Sequence, residues 1–236
     1  MNLLRFLCVT SVAVVFAVGC SKTNSDNVKT SGFYVTYTVT GNNVGTATCT
    51  ARLQVGGSTG TFLELNGGDS ITCDGQSMSR SEFAGIITYS ANVTYAVGKI
   101  YTVILNRSGE GSYSSTVDMP PVIAGYTPST TNSYQKGTII NPTWTPSASG
   151  LDTMYVDLSY NYGSGSRTVL HTDTAPENGS GVSFGATDTQ VTPAGAPGTW
   201  TGTLRYTRSR SGQLSTSLSG AISASQEVSV AVNLTD

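Results

Sequence analysis

Apolar and polar residues alternate along most of this chain, and a period of two predicts strands with one buried face. The stretch FYVTYTVT shows the pattern most simply, because every second residue is large and apolar: Phe33, Val35, Tyr37 and Val39. The same alternation recurs at TATCTARLQV, YSANVTY, IYTVIL and STVDMPP, with turn residues such as GNN and NGG between the strands. We therefore predict about seven short strands before Pro121.

The second half of the chain repeats this design. Its alternating stretches are MYVDLSYNY, TVLH, VSF, WTGTLRY and VSVAVNL. This strand number and spacing, with roughly 100 residues in each half, are typical of antiparallel β-sandwiches. We predict an all-β protein with two tandem antiparallel β-sandwich domains, residues 32–122 and 123–236, which meet at the proline-bearing segment MPPVIAG.

The first 19 residues have the features of a secretory signal. Arg5 supplies a positive charge, residues 6–18 are almost entirely apolar, and the small Gly19 precedes Cys20. A positive start, a short apolar centre and a small residue at the cleavage site describe an export signal. The apolar run is too short for a transmembrane helix, which needs about 20 residues.

The end of this segment resembles the lipobox of bacterial lipoproteins, at Ala17, Val18, Gly19 and Cys20. The resemblance implies that residues 1–19 are a lipoprotein signal peptide, that Cys20 carries diacylglycerol, and that its new amine takes a further acyl chain such as palmitate. Two or more chains anchor a protein stably, whereas one does not. Ser21 resembles the signal for sorting to the outer membrane, so the expected location is the cell envelope, facing the periplasm or the cell surface. The alternative is a plain secreted protein with a chance cysteine.

The segment after the predicted cleavage site, SKTNSDNVKTS, is polar and has no hydrophobic period. Such segments cannot bury enough apolar surface to fold by themselves. We therefore predict that residues 20–31 comprise the lipidated cysteine and a flexible tether.

The cysteines suggest a disulfide bond. Cys8 lies in the predicted signal and Cys20 takes the lipid, so Cys49 and Cys73 remain. Both lie on the apolar faces of alternating strands, and an exported chain meets an oxidising compartment. We predict a Cys49–Cys73 disulfide, with two separate buried thiols as the alternative.

Charge excludes one class of partner. The formal net charge is −2 and only 11% of the residues are charged. Proteins that bind nucleic acids through phosphates need a basic surface, so we expect no nucleic-acid partner. Arg205, Arg208 and Arg210 could form a small basic patch for acidic glycans or lipid phosphates, or could protect a strand edge against unwanted pairing.

No catalytic or cofactor motif emerges from the residues. GGSTG around Ser58 formally matches a nucleophile elbow, but such an elbow needs a helix after it, and a strand is predicted there. The only histidine, His171, lies two residues before Asp173 and is expected at a strand end. Two loops offer oxygen ligands for calcium, although neither is rich in carboxylates: Glu64, Asn66 and Asp69 in one, and Asp173, Glu177 and Asn178 in the other. We expect no enzyme activity, no cofactor and no bound metal.

In architecture the two halves resemble the immunoglobulin-like or fibronectin type III-like modules of bacterial surface lipoproteins. The first half departs from antibody domains because Cys49 and Cys73 are close in sequence and no tryptophan lies between residues 20 and 122. The resemblance implies a lipid-anchored envelope protein that acts in binding, adhesion or spacing, with an envelope protein or glycan as partner. A periplasmic accessory factor for an envelope complex is the main alternative, and a glycan-active enzyme is a third.

Overall fold

The structure, a computed structural model, describes residues 22–41, 45–162, 167–176, 179–189 and 200–235. The predicted signal peptide and Cys20 lie outside these residues. Glu177 and Asn178 also lie outside the described residues. For His171 and Asp173 the structure describes the backbone but not the side chain.

The described residues form strands and two short 3-10 turns, which confirms the all-β prediction. The strands of the first half are β1 (Lys22–Asn24), β2 (Phe33–Gly41), β3 (Thr46–Val55), β4 (Thr61–Glu64), β5 (Ser70–Cys73), β6 (Gln76–Ser77), β7 (Ser79–Phe83), β8 (Ile86–Thr94), β9 (Ile100–Arg107) and β10 (Gly111–Asp118). Those of the second half are β11 (Asn132–Gln135), β12 (Asp152–Tyr162), β13 (Arg167–Pro176), β14 (Trp200–Ser211) and β15 (Ser219–Thr235). Among these residues no helix has the length and apolar composition needed to cross a membrane.

Two sheets enclose a first hydrophobic core. The larger sheet has the order β1-β4-β3-β2-β15-β14-β12-β13, with β8 beside β3 and β7 beside β8, and the smaller has the order β10-β9-β5-β6. The smaller sheet packs over the first half of the larger one. Their inward residues form one cluster that includes Val35 and Leu53 from the larger sheet and Ile71 and Val103 from the smaller.

Strand β15 is common to both halves of the molecule. Its first eight residues pair in parallel with β2, and its residues 223–234 pair antiparallel with β14. Ile222 and Ala224 are buried in the first core, whereas Val232 and Leu234 are buried in the second. The division at residue 122 stays a prediction, but residues from beyond it complete the first core.

The second core has a different construction from the predicted sandwich. One face is the continuation of the larger sheet, whereas the other is covered by connecting segments whose aromatic side chains point inward, including Trp144 and Phe184. Isolated bridges and single hydrogen bonds join these segments, such as the reciprocal hydrogen bonds between Ile140 and Phe184. Within the described ranges, large rings fill the space that a second sheet would occupy.

The structure also differs from the predicted tether. Lys22–Asn24 add a parallel strand beside Phe62–Glu64, and Ser25 and Thr30 are fully buried. Residues 22–31 are therefore part of the first folded unit. Burial is tolerated here because the Ser25 hydroxyl, the Ser25 carbonyl and the Thr30 N–H have hydrogen-bond partners.

Candidate functional site

The described chain begins at one end of the larger sheet, which we call the N-terminal end. Lys22 lies beside Phe62, which in turn pairs with Gln54 near the end of β3. The turn between β7 and β8 and the beginning of β15 lie at the same end, because Ser219 pairs with Tyr34. Since β15 runs from here into the second core, that core lies at the opposite end of the sheet.

A buried ion pair fixes the N-terminal segment. The Nε atom of Arg107 lies 2.9 Å from a carboxylate oxygen of Asp69, and both side chains are only 3% exposed. Arg107 also donates hydrogen bonds to the carbonyl oxygens of Ser25 (2.7 Å) and Val28 (3.0 Å). The Ser25 hydroxyl donates to Asp69 and accepts from the backbone N–H of Asn66. Asp69, a candidate calcium ligand in the sequence, is therefore occupied in holding this segment.

Four charged side chains join the first strand to the β7–β8 hairpin. Lys22 lies 3.6 Å from Glu64 and 3.4 Å from Glu82, and Arg80 lies 3.0 Å from Glu64 and also contacts Glu82. The hydrogen bond from Arg80 lowers the pKa of Glu82; burial opposes this effect, and Lys22 adds to it. The two positive and two negative charges compensate one another.

The tip of this hairpin exposes two large apolar side chains. Phe83 and Ile86 face each other across the last pair of the ladder, and they are 84% and 36% exposed. Ala84 and Gly85 between them both have positive φ, 50° and 80°. Two consecutive residues with positive φ form a tight two-residue turn, and the twist of this turn matches the twist of the two strands that it joins.

The predicted disulfide residues meet in the middle of the first core. Cys49 lies on β3 and Cys73 on β5, in opposite sheets, and both are fully buried free thiols. The two side chains share a hydrogen bond, which together with burial raises the pKa of the Cys49 thiol. The fold therefore brings together the two cysteines that the sequence analysis paired, without a bond between them.

The three arginines of β14 do not form the predicted basic patch. Arg205 lies on the outer face and pairs with Asp157 at 3.1 Å, whereas Arg210 pairs with Asp152 at 2.7 Å. The arginines do not protect a strand edge either, because β14 lies inside the sheet, between β12 and β15.

Arg208, by contrast, is a structural residue that is only 2% exposed. Its guanidinium donates to the carbonyl oxygens of Pro121 (3.2 Å), Val122 (2.8 Å) and Thr145 (2.7 Å). It thereby fastens the segment between the two halves to the second half. The sequence did contain a signal for this, because alternation places Arg208 on the same face as Leu204 and Tyr206.

The other candidates for chemistry remain scattered. Ser58 lies in the loop between β3 and β4, where its carbonyl accepts a hydrogen bond from Gln54, and a strand follows instead of the helix an elbow requires. A groove of about 520 Å³ lies between the 3-10 turn at Thr30 and the start of β15, and Glu110 is the one carboxylate among its lining residues. Glu110 is itself bound to the backbone N–H of Thr30.

The described part of the chain contains no group of three histidine, cysteine, aspartate or glutamate side chains placed to hold a metal. The backbone places His171 on β13 opposite Leu158. Comparison with known proteins adds no family: no family model matches the chain, and no curated protein matches it. Function therefore has to be inferred from the residues and their geometry.

Proposed function

We propose that this protein is a lipid-anchored protein of the bacterial cell envelope that holds its second half away from the membrane as a binding, adhesion or spacer module. Its partner is an envelope protein or glycan, not a nucleic acid, and the proposal includes no catalytic step. The observation that carries it is the position of β15, which runs from the N-terminal end into the core at the opposite end.

The lipobox resemblance supports the anchor. Cys20 precedes Lys22 by two residues, so a lipid on Cys20 is attached at the N-terminal end of the larger sheet. The membrane then lies at this end, and the second core, with both tryptophans of the chain, lies at the other.

The spacer role is supported by the stiffness of the connection. A 17-residue strand at roughly 3.3 Å per residue spans about 55 Å, and β15 pairs with β14 along residues 223–234, with β2 at its beginning and with β11 at its end. Gln226, in the middle of β15, donates a hydrogen bond to the Pro120 carbonyl, and Arg208 binds the next two carbonyls. A hinge between the halves would break these bonds and the ladder itself.

We also propose that Cys49 and Cys73 are disulfide-bonded in the exported protein. The two thiols are already in contact across the core, and an oxidising compartment favours the bond. This bond would join the two sheets of the first half and make the membrane-proximal part of the spacer more resistant to unfolding.

Two measurements on the protein in vesicles test the proposal. Mass spectrometry should find a mature chain that begins at lipid-modified Cys20, and Cys20→Ser should leave an uncut precursor whose mass includes the signal peptide and no lipid. Trp144 and Trp200 should keep their fluorescence when the vesicles contain brominated lipids, because these lipids quench only indoles that reach the bilayer.

The lipid anchor and the spacer role are contradicted by different results. A mature chain that starts elsewhere, or has an unmodified Cys20, contradicts the anchor. Quenching of the two native tryptophans in the anchored protein contradicts the spacer, because the second core would then lie on the membrane.

A further inference from the structure

The exposed apolar pair at the tip of the β7–β8 hairpin belongs to neither hydrophobic core of the described residues. Phe83 is 84% exposed, and its neighbour across the ladder, Ile86, is 36% exposed. The next residue of β8, Ile87, is fully buried in the first core, so the alternation directs Ile86 and its partner Phe83 to the opposite face. Neither residue is needed to fill the core.

This tip lies close to the point where the proposed lipid is attached. The Lys22 ammonium is 3.4 Å from the carboxylate of Glu82, the residue immediately before Phe83. Cys20 is two residues before Lys22, and two peptide units span at most about 7 Å. A lipid on Cys20 therefore enters the bilayer beside the hairpin, with no tether of the predicted kind to separate the two.

The charges around the tip are compatible with a membrane surface. Lys22, Arg80, Glu64 and Glu82 form a compensated cluster, so no unpaired charge among these four side chains has to approach the acyl chains. The short turn at Ala84 and Gly85 places only a methyl group and a hydrogen beyond the apolar pair.

We propose that Phe83 and Ile86 insert into the leaflet that holds the acyl chains of Cys20. This proposal rests on the proposed lipid anchor and adds to it a second point of contact with the membrane. A lipid alone leaves the domain free to swivel about its attachment, whereas an inserted hairpin beside it fixes the tilt of the larger sheet. The consequence is that β15 points away from the bilayer and the second core is held at a defined height.

A tryptophan introduced at the tip tests this directly. The full-length protein is matured in cells as wild type, as Phe83→Trp and as Ile100→Trp, and is placed in vesicles of phosphatidylethanolamine and phosphatidylglycerol with normal or brominated acyl chains. Ile100 is the matched control because it is 59% exposed but lies in the first half at the end of β9 remote from the N-terminal end. Trp144 and Trp200 are buried and give a constant background.

The expected result is a blue-shifted emission from Phe83→Trp that brominated lipid quenches, with no shift or quenching for Ile100→Trp. Equal behaviour of the two variants in lipidated protein overturns the insertion. A blue shift in the emission of Phe83→Trp that depends on protein concentration in the absence of vesicles also overturns the insertion, because the pair would then bind a second copy of the chain. Mass spectrometry of the same samples separates these results from failure of the anchor, which would appear as an unmodified Cys20 and loss of flotation.

Discussion

The two halves of the molecule bury similar apolar side chains in different ways. In the first half, strands of two sheets face each other and their alternating residues interlock. In the second half, one sheet is covered by connecting segments that contribute Trp144, Val182 and Phe184. An aromatic side chain buries about 150–250 Å² of surface, so an irregular segment with a few aromatic residues can replace a sheet as the second layer of a core.

The halves also differ in how they use buried charge. In the first half Arg107 is paired with Asp69 inside the protein, and the pair secures the N-terminal segment. In the second half Arg208 is equally buried but binds backbone carbonyls of the connecting segments. Both arginines hold irregular chain to a sheet, which requires donors that reach several carbonyls at once.

The largest expected effect comes from breaking the buried pair of the first half. Asp69→Ala removes the buried partner of Arg107 and leaves it only the more exposed carboxylate of Glu110, 3.4 Å away, so the change should lower the free energy of unfolding by about 3–5 kcal/mol. The matched change in the second half is Asp157→Ala, because Arg205 is 44% exposed in that pair. A pair so open to solvent contributes about 1 kcal/mol or less. Urea denaturation of both variants measures the difference, and equal losses would contradict the distinction between the halves.

The second effect concerns the proposed disulfide, which would exist only in the first half. Closing the loop between Cys49 and Cys73 should stabilise that half by about 3–4 kcal/mol in the chain-entropy model. Reduction should therefore lower the temperature at which the first core unfolds. Peptide mapping without reductant should recover the two cysteines linked. If both cysteines can be alkylated in unfolded, unreduced protein, the disulfide is wrong and the first core holds two free thiols.

The smallest expected effect concerns a salt bridge at the border between the two halves. Asp152 of β12 pairs with Arg210, which also lies 3.9 Å from Asp118 of β10. Burial opposes ionisation of Asp152, but hydrogen bonds from Arg210, Ser147 and Ser149 outweigh it and lower its pKa.

A carboxyl group with a lowered folded pKa contributes stability that is fully present above its unfolded pKa, about 3.9. This contribution is lost as the pH falls through the folded value. Asp152→Asn should cost about 1–3 kcal/mol at neutral pH and less below pH of about 4. Denaturation of wild type and variant across this range measures the contribution. If the difference in unfolding free energy between wild type and Asp152→Asn does not shrink in acid, the lost contact is not electrostatic.

Much of the fold was accessible from the alternation alone. The residues that share the apolar face of β2, Phe33, Val35, Tyr37 and Val39, are all buried as their spacing predicted. The same holds for Cys49 and Cys73, and for the inward positions of β12 and β14. These predictions succeed because the direction of a side chain in a strand depends only on its own position along the backbone.

The local pattern could not predict the contacts between segments that are remote in sequence. SKTNSDNVKTS looks disordered until Arg107, far along the chain, provides donors for its carbonyls. Alternation already places Arg208 on the inward face, but it does not show that Arg205 and Arg210 each pair with an aspartate of β12. VSVAVNL predicted only the last part of β15, because the parallel pairing of its first part with β2 joins residues at opposite ends of the sequence.

The sequence by itself thus determined the strands, their buried faces, the inward position of the two cysteines and the lipobox resemblance, all of which depend on neighbouring residues. Only the tertiary structure decided that β15 serves both cores, that among the described residues one sheet lines the second core, and that Lys22 lies beside Glu82 of the β7–β8 hairpin. The physical reason is that these features depend on which distant groups satisfy one another's hydrogen bonds and charges, and no local period encodes that choice.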